Sequence, residues 1–210
     1  MGVLAKTARP TILSEFREDS CIASTRIVTK VLRRFGFDSE PMVVQLAVFN
    51  QQYAEAVAQG SNPPLDGSKD ELIAWMDEHK AWAVGVGVPG RDDDWRWRKN
   101  GSKSPWLGGQ ASHLVAVMRT PRVLVDVSLS QANRPAHNIK LPDLFVGKVL
   151  PGFLDGSEQA WYHVNRCSME YVSFPSDESF RVSPDWKDKS RTRHLVDSLE
   201  RQVDFALSRS

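Results

Sequence analysis

Three residues of this chain carry side chains that together could do nucleophilic chemistry: Cys21, His113 and Asp126. A thiol attacks as its thiolate, and an adjacent imidazole both holds that charge and later delivers a proton to a leaving group. A carboxylate behind the imidazole fixes its tautomer and steadies its charged form. Each residue alone has an ordinary structural role, as a small buried side chain, a strand residue or a turn cap. What singles them out is their order and setting: a cysteine at the start of an amphipathic run, then "HLVAV", then "VLVDVS".

The elements that would position them can be read from hydrophobic periodicity. In "REDSCIASTRIVTKVLRRFGF", Ile22, Val28, Val31, Leu32 and Phe35 recur at helical spacing, Asp19 or Ser20 is a good N-cap, and Gly36 is a good stop. This predicts a helix over about residues 20–35. Cys21 then lies in the first turn, at the positive end of the macrodipole, where backbone N–H groups lack intrahelical partners. Those groups, the N–H of Cys21 among them, would form the oxyanion hole for an attacked carbonyl. The segments 111–119 and 123–129 read as a hairpin joined at Thr120-Pro121-Arg122. A turn centred there leaves His113 and Asp126 nearly opposite or one step diagonal, within side-chain reach. The turn register decides whether they share a face.

Residues 1–16 read as an irregular arm, 41–50 as a strand and 51–60 as a short helix. Residues 68–80 form a helix opened by a capping box of Ser68 and Glu71, and 81–88 alternate like a strand. Residues 89–110 form a long polar loop containing Trp95, Trp97 and Trp106. Those rings would either wall a substrate pocket beside His113 or pack the loop onto the sheet. Gln131 and Asn133, just beyond Asp126, are within range to bond the triad or a substrate. Residues 130–152 are irregular, 159–174 read as one long strand with a bend, and 186–208 form a docked C-terminal helix striped with Leu195, Val196, Leu199 and Val203. Strands grouped in the middle of the chain and flanked by helices predict an α+β domain spanning 1–210 with an antiparallel sheet.

The helix-borne cysteine running into Arg34-Phe35-Gly36-Phe37, followed by "HLVAV" and by Leu124-Val125-Asp126-Val127-Ser128, resembles the core of transglutaminase-like proteins and arylamine N-acetyltransferases. These share a papain-like fold, and the acetyltransferase pattern is the nearer. The resemblance spans roughly residues 15–50 and 108–130. It implies a papain-like core with the nucleophile helix packed on an antiparallel sheet and a Cys21–His113–Asp126 triad. The implied reaction is acyl transfer through a thioester, with water or an amine as acceptor, so hydrolase, thiol protease and acyltransferase all remain open. The substrate would be a peptide or a small acyl or amine compound. No bound cofactor is implied, although acyl-CoA would be the donor in an acetyltransferase-like version. The approach to the cysteine, Glu18-Asp19-Ser20, is acidic where the acetyltransferases carry an Arg-Gly-Gly stretch. That keeps a second reading open, a non-catalytic protein-binding module on the same fold.

Composition narrows the classes further. Lys and Arg number 27 against 26 Asp and Glu in 210 residues, which gives no electrostatic case for nucleic acid or an anionic membrane. No apolar run approaches the ~20 residues of a spanning helix, and no secretory leader is recognisable. Two distant cysteines, Cys21 and Cys167, then read as free thiols of a cytoplasmic protein. His163 and Cys167 on one strand would lie roughly 13 Å apart, too far to share a metal ion.

Overall fold

The run "PMVVQLAVF" is apolar at almost every position, the signature of a strand covered on both faces. In the computed structural model, which describes residues 2–14, 16, 21–86 and 113–209, it forms most of the long central strand β1 (Ser39–Phe49). Along one edge β1 pairs with β7 (Cys167–Phe174). Its other edge is shared. Ser39–Val44 pair with β3 (His113–Met118), and Leu46–Phe49 pair with β2 (Ala83–Val86). Beyond β3 come β4 (Val123–Asp126) and β5 (Phe145–Lys148), and beyond β7 comes β6 (Gln159–Val164). All pairs are antiparallel, and the order is β5-β4-β3-β1-β7-β6 with β2 added beside β1.

The sheet curls until its outer strands nearly meet. The Tyr162 hydroxyl on β6 donates to the Lys148 carbonyl on β5 at 2.8 Å, and the Phe145 and Tyr162 rings meet edge-on with centroids 4.7 Å apart. Gly147 is required at this seam, because a Cβ there would stand 2.5 Å from the Tyr162 ring. The inner face buries Met42, Val44, Leu46, Val48, Val115, Val117, Met169 and Tyr171.

The outer face is covered by helices. These are α1 (Gly2–Leu13), α2 (Cys21–Arg34) and the C-terminal helix, here α7 (Lys189–Leu207). Ala23, Ile27 and Val31 of α2 and Leu195, Val196, Leu199 and Val203 of α7 pack against Ala116, Met118 and Val125. Arg34 ties α2 to α7 through Asp197 (2.7 Å) and Glu200. Shorter helices fill the connections: α3 (Gln51–Ala58), α4 (Lys69–His79), α5 (Pro151–Asp155) and α6 (Pro184–Lys187). The Ser68–Glu71 capping box is present at the start of α4. The α+β class with an antiparallel sheet and a C-terminal helix is therefore realised.

Four expectations change. Residues 2–13 are helical rather than an irregular arm, despite Pro10. Leu4, Ala8 and Ile12 form a stripe buried against α7, and that packing outweighs the hydrogen bond that proline removes. The expected bent strand over 159–174 is a hairpin. Asn165 and Arg166 both take the left-handed backbone conformation that makes its two-residue turn. The irregular stretch after Asp126 contains β5, α5 and short 3-10 turns at Leu129–Ala132 and Pro135–His137. The C-terminal helix starts at Lys189, and the separate turn of α6 precedes it.

Candidate functional site

The hairpin register places His113 and Asp126 on one face. Ala116 pairs with Val125 and Met118 with Val123, so Asp126 lies across from Val115, two residues from His113 on the same side of the pleat. His113 Nε2 and Asp126 Oδ2 are 2.6 Å apart, and both side chains are fully buried.

A buried carboxylate survives only with charge and donors around it. Asp126 has three firm partners. His113 and the Tyr171 hydroxyl (2.9 Å) meet Oδ2, while the Ser128 backbone N–H donates to Oδ1 at 2.9 Å. Burial alone pushes this carboxyl up, but the His113 charge, the His113 hydrogen bond and the donors from Ser128 and Tyr171 together hold it below its ordinary value. Burial likewise pushes the imidazole down. The attraction and hydrogen bond of Asp126, joined by those of Cys21, prevail and raise His113 to about 10. The pair is thus an imidazolium and a carboxylate at neutral pH. Tyr171 keeps its proton, since burial and then the adjacent Asp126 charge push its hydroxyl far above the ordinary value.

Cys21 is the first residue of α2 and is partly exposed, and its side chain is near enough to His113 to contribute to the raising of the ring. It packs in a small cluster with Val43, Leu114, Phe180 and Trp186. The helix is held in register with the strand by Thr25, one turn beyond the cysteine. Its hydroxyl donates to the carbonyl of Leu114, the residue after His113, at 2.7 Å. Ring and carboxylate are thus paired between a strand start and the end of the neighbouring strand, and the sulfur lies at the helix start that Thr25 fixes against them.

Gln131, in the 3-10 turn after Asp126, brings Nε2 to 2.7 Å from His113 Nδ1. An amide suits both states of the ring. Its N–H donates to a bare nitrogen, and half a turn of the amide presents the carbonyl to an N–H. Asn133 does not join the triad. It exchanges hydrogen bonds with the backbone of Leu141 and closes the loop there. Trp95, Trp97 and Trp106 lie outside the described residues, as do Glu18, Asp19 and Ser20.

Three participants escaped the sequence reading: Thr25, Ser128 and Tyr171. Thr25 follows Cys21 by four residues and so shares its helix face, a signal that was available. Tyr171 reaches Asp126 from a strand 45 residues away and gives no local sign. His163 and Cys167 lie on the two strands of a hairpin and face opposite sides, with His163 beside the Ser168 hydroxyl (3.1 Å) and Cys167 in the core. Among the described residues, no group of three or more His, Cys, Asp or Glu is placed to hold a metal ion. No described helix is long and apolar enough to cross a membrane. No protein-family model, no curated protein and no solved structure matches the chain.

Proposed function

We propose that this protein catalyses cysteine-dependent acyl transfer on a papain-like core, with Cys21 as nucleophile, His113 as acid and base, and Asp126 as the group that orients the ring. The observation that carries the reading is the buried His113–Asp126 pair at 2.6 Å, with Cys21 at the start of α2 near enough to act on the same ring. Residues in purely structural roles have no need to converge from a helix and two strands in the order nucleophile, base, orienter.

With Nε2 committed to Asp126, Nδ1 serves the sulfur. The Cys21 thiolate attacks the acyl carbon, forming a C–S bond, and the carbonyl electron pair moves onto oxygen. N–H groups in the first turn of α2, which lack intrahelical partners, receive that oxyanion. As the tetrahedral intermediate collapses, the bond to the leaving group breaks and its electrons take the proton from His113, leaving a thioester. Water or an amine then gives a proton to His113 and attacks the thioester, and Cys21 departs as thiolate. Asp126 stays ionised throughout, braced by Ser128 and Tyr171. Peptides and small acyl compounds are the substrate class, and acyl-CoA is the donor if the acceptor is an amine.

Iodoacetamide labelling followed by peptide mass analysis tests the proposal, because the chain holds an internal control. Cys167 is buried, and burial pushes its thiol up. At neutral pH, Cys21 should be alkylated much faster than a free thiol while Cys167 remains unlabelled, and Cys21→Ala should abolish the fast phase. Labelling of Cys21 at or below the rate of free thiol would refute it. In that event the Gln131 amide on Nδ1 favours the other reading, a non-catalytic binding module in which the buried knot stabilises the fold.

A further inference from the structure

A cleft of about 390 Å³ opens between α2, the start of β1 and the segment around α6. Trp186 lines it and belongs to the same hydrophobic cluster as Cys21, while Arg26 lies over its ring at 5.8 Å. The lining holds five cations, Arg26, Lys30, Arg33, Arg181 and Lys187, and no carboxylate. The chain as a whole balances 27 basic against 26 acidic residues, so this concentration of charge is local.

Two of these groups are aimed by backbone carbonyls. Arg26 is buried and donates to the backbone carbonyls of Asp188 (2.7 Å) and Asp185 (3.3 Å), while Arg33 Nε donates to the Ser39 carbonyl at 2.6 Å. A carbonyl orients a guanidinium but leaves its net charge in place. From outside the lining Glu178 pairs with Arg181 at 2.8 Å and Asp188 attracts Arg26, and Lys30 also has a partner. Among the described residues, neither Arg33 nor Lys187 forms an ion pair. Thr29 adds an independent sign. It lines the same cleft and is 2% exposed, and its hydroxyl oxygen has no hydrogen-bond partner.

We propose that this cleft binds a small polyphosphate anion, through the guanidinium and ammonium groups with the Thr29 hydroxyl as an added contact. Like charges gathered in a concavity repel one another until a polyvalent anion fills it. Arginine forks match phosphate oxygens in pairs, and lysine adds point charge. The volume lies at the small end of ligand sites and suits a short phosphate chain. This inference does not depend on the chemistry assigned to Cys21.

The test is calorimetric titration of the full chain with tripolyphosphate, and with sulfate at matched ionic strength. Saturable one-site binding of tripolyphosphate is expected, with little response to sulfate. Arg181→Ala combined with Lys187→Ala should weaken it by about tenfold or more. A charge-matched pair elsewhere, Lys148→Ala with Arg201→Ala, should leave it unchanged. Thr29→Val should weaken it several-fold while the melting temperature holds, since that hydroxyl bonds nothing among the described residues. Absence of saturation, equal binding of sulfate, or equal loss in the control pair overturns the proposal. If the first double variant does not melt cooperatively, unchanged affinity in Thr29→Val overturns it.

Discussion

At the scale of single residues, the decisive feature is that His113 and Asp126 shift each other in opposite directions. His113 rises from 6.5 to about 10, and Asp126 falls below 3.8. A raised histidine contributes stability that is complete below its unfolded value and is lost as pH climbs through the folded one. A depressed aspartate contributes stability that is complete above its unfolded value and is lost as pH falls through the folded one. The pair therefore stabilises fully between about pH 4 and 6.5, with a decline toward pH 10 and another in acid. Asp126→Asn removes one charge and leaves the other buried, which should cost about 3–5 kcal/mol. It should also flatten the dependence between pH 6.5 and 10. Urea unfolding of both proteins across that range checks this, and parallel pH profiles would show that the ion pair is not what titrates. The types and order of Cys21, His113 and Asp126 were legible because strand and helix periodicities locate them. Tyr171 was not, because its hydroxyl reaches the carboxylate through the curl of the sheet rather than through any spacing along the chain.

At the scale of elements, α2 and β3 act as one unit because of Thr25. A helix on a sheet can slide by fractions of a turn at small cost in buried apolar area, whereas a hydroxyl donating to the Leu114 carbonyl at 2.7 Å permits one position. Cys21 and His113 each lie close to one end of that bond. Thr25→Val keeps the volume and removes the bond. It should cost about 1 kcal/mol in stability and slow the alkylation of Cys21 several-fold. Stopped labelling kinetics beside a thermal melt separate the two effects, and an unchanged labelling rate would mean that packing alone sets the register. The helix of Cys21 was predicted within a residue or two because its stripe, cap and stop agree. Helix α1 escapes a local reading because Pro10 reads as a breaker, and the face of α7 that stabilises it is remote in sequence, as the 191-residue separation of the Gln202–Thr11 hydrogen bond shows. The hairpin of β6 and β7 was misread as a single strand because Asn165-Arg166 lacks the glycine that usually marks so tight a turn.

For the whole molecule, the antiparallel class was legible from grouped strands, whereas the curling of the sheet was not. Closure depends on Tyr162 meeting Lys148 and Gly147, residues whose proximity no periodicity encodes. The arrangement around β1 has a further consequence. Val86 pairs with Leu46 and His113 with Val44, so β2 and β3 follow one line in one direction with only the place opposite Gln45 between them. Two positions along a strand amount to about 7 Å. In ladder terms the two strands are a single rung sequence, and the chain from 87 to 112 joins their facing ends. Replacing residues 87–112 by one serine should yield a protein that still melts cooperatively and keeps its β-sheet circular dichroism. A chain that no longer folds would show that strand pairing alone does not hold β2 and β3 in line. If it folds, this point of the ladder accepts an insert of any length or none, and the strand ends on either side keep their places without it.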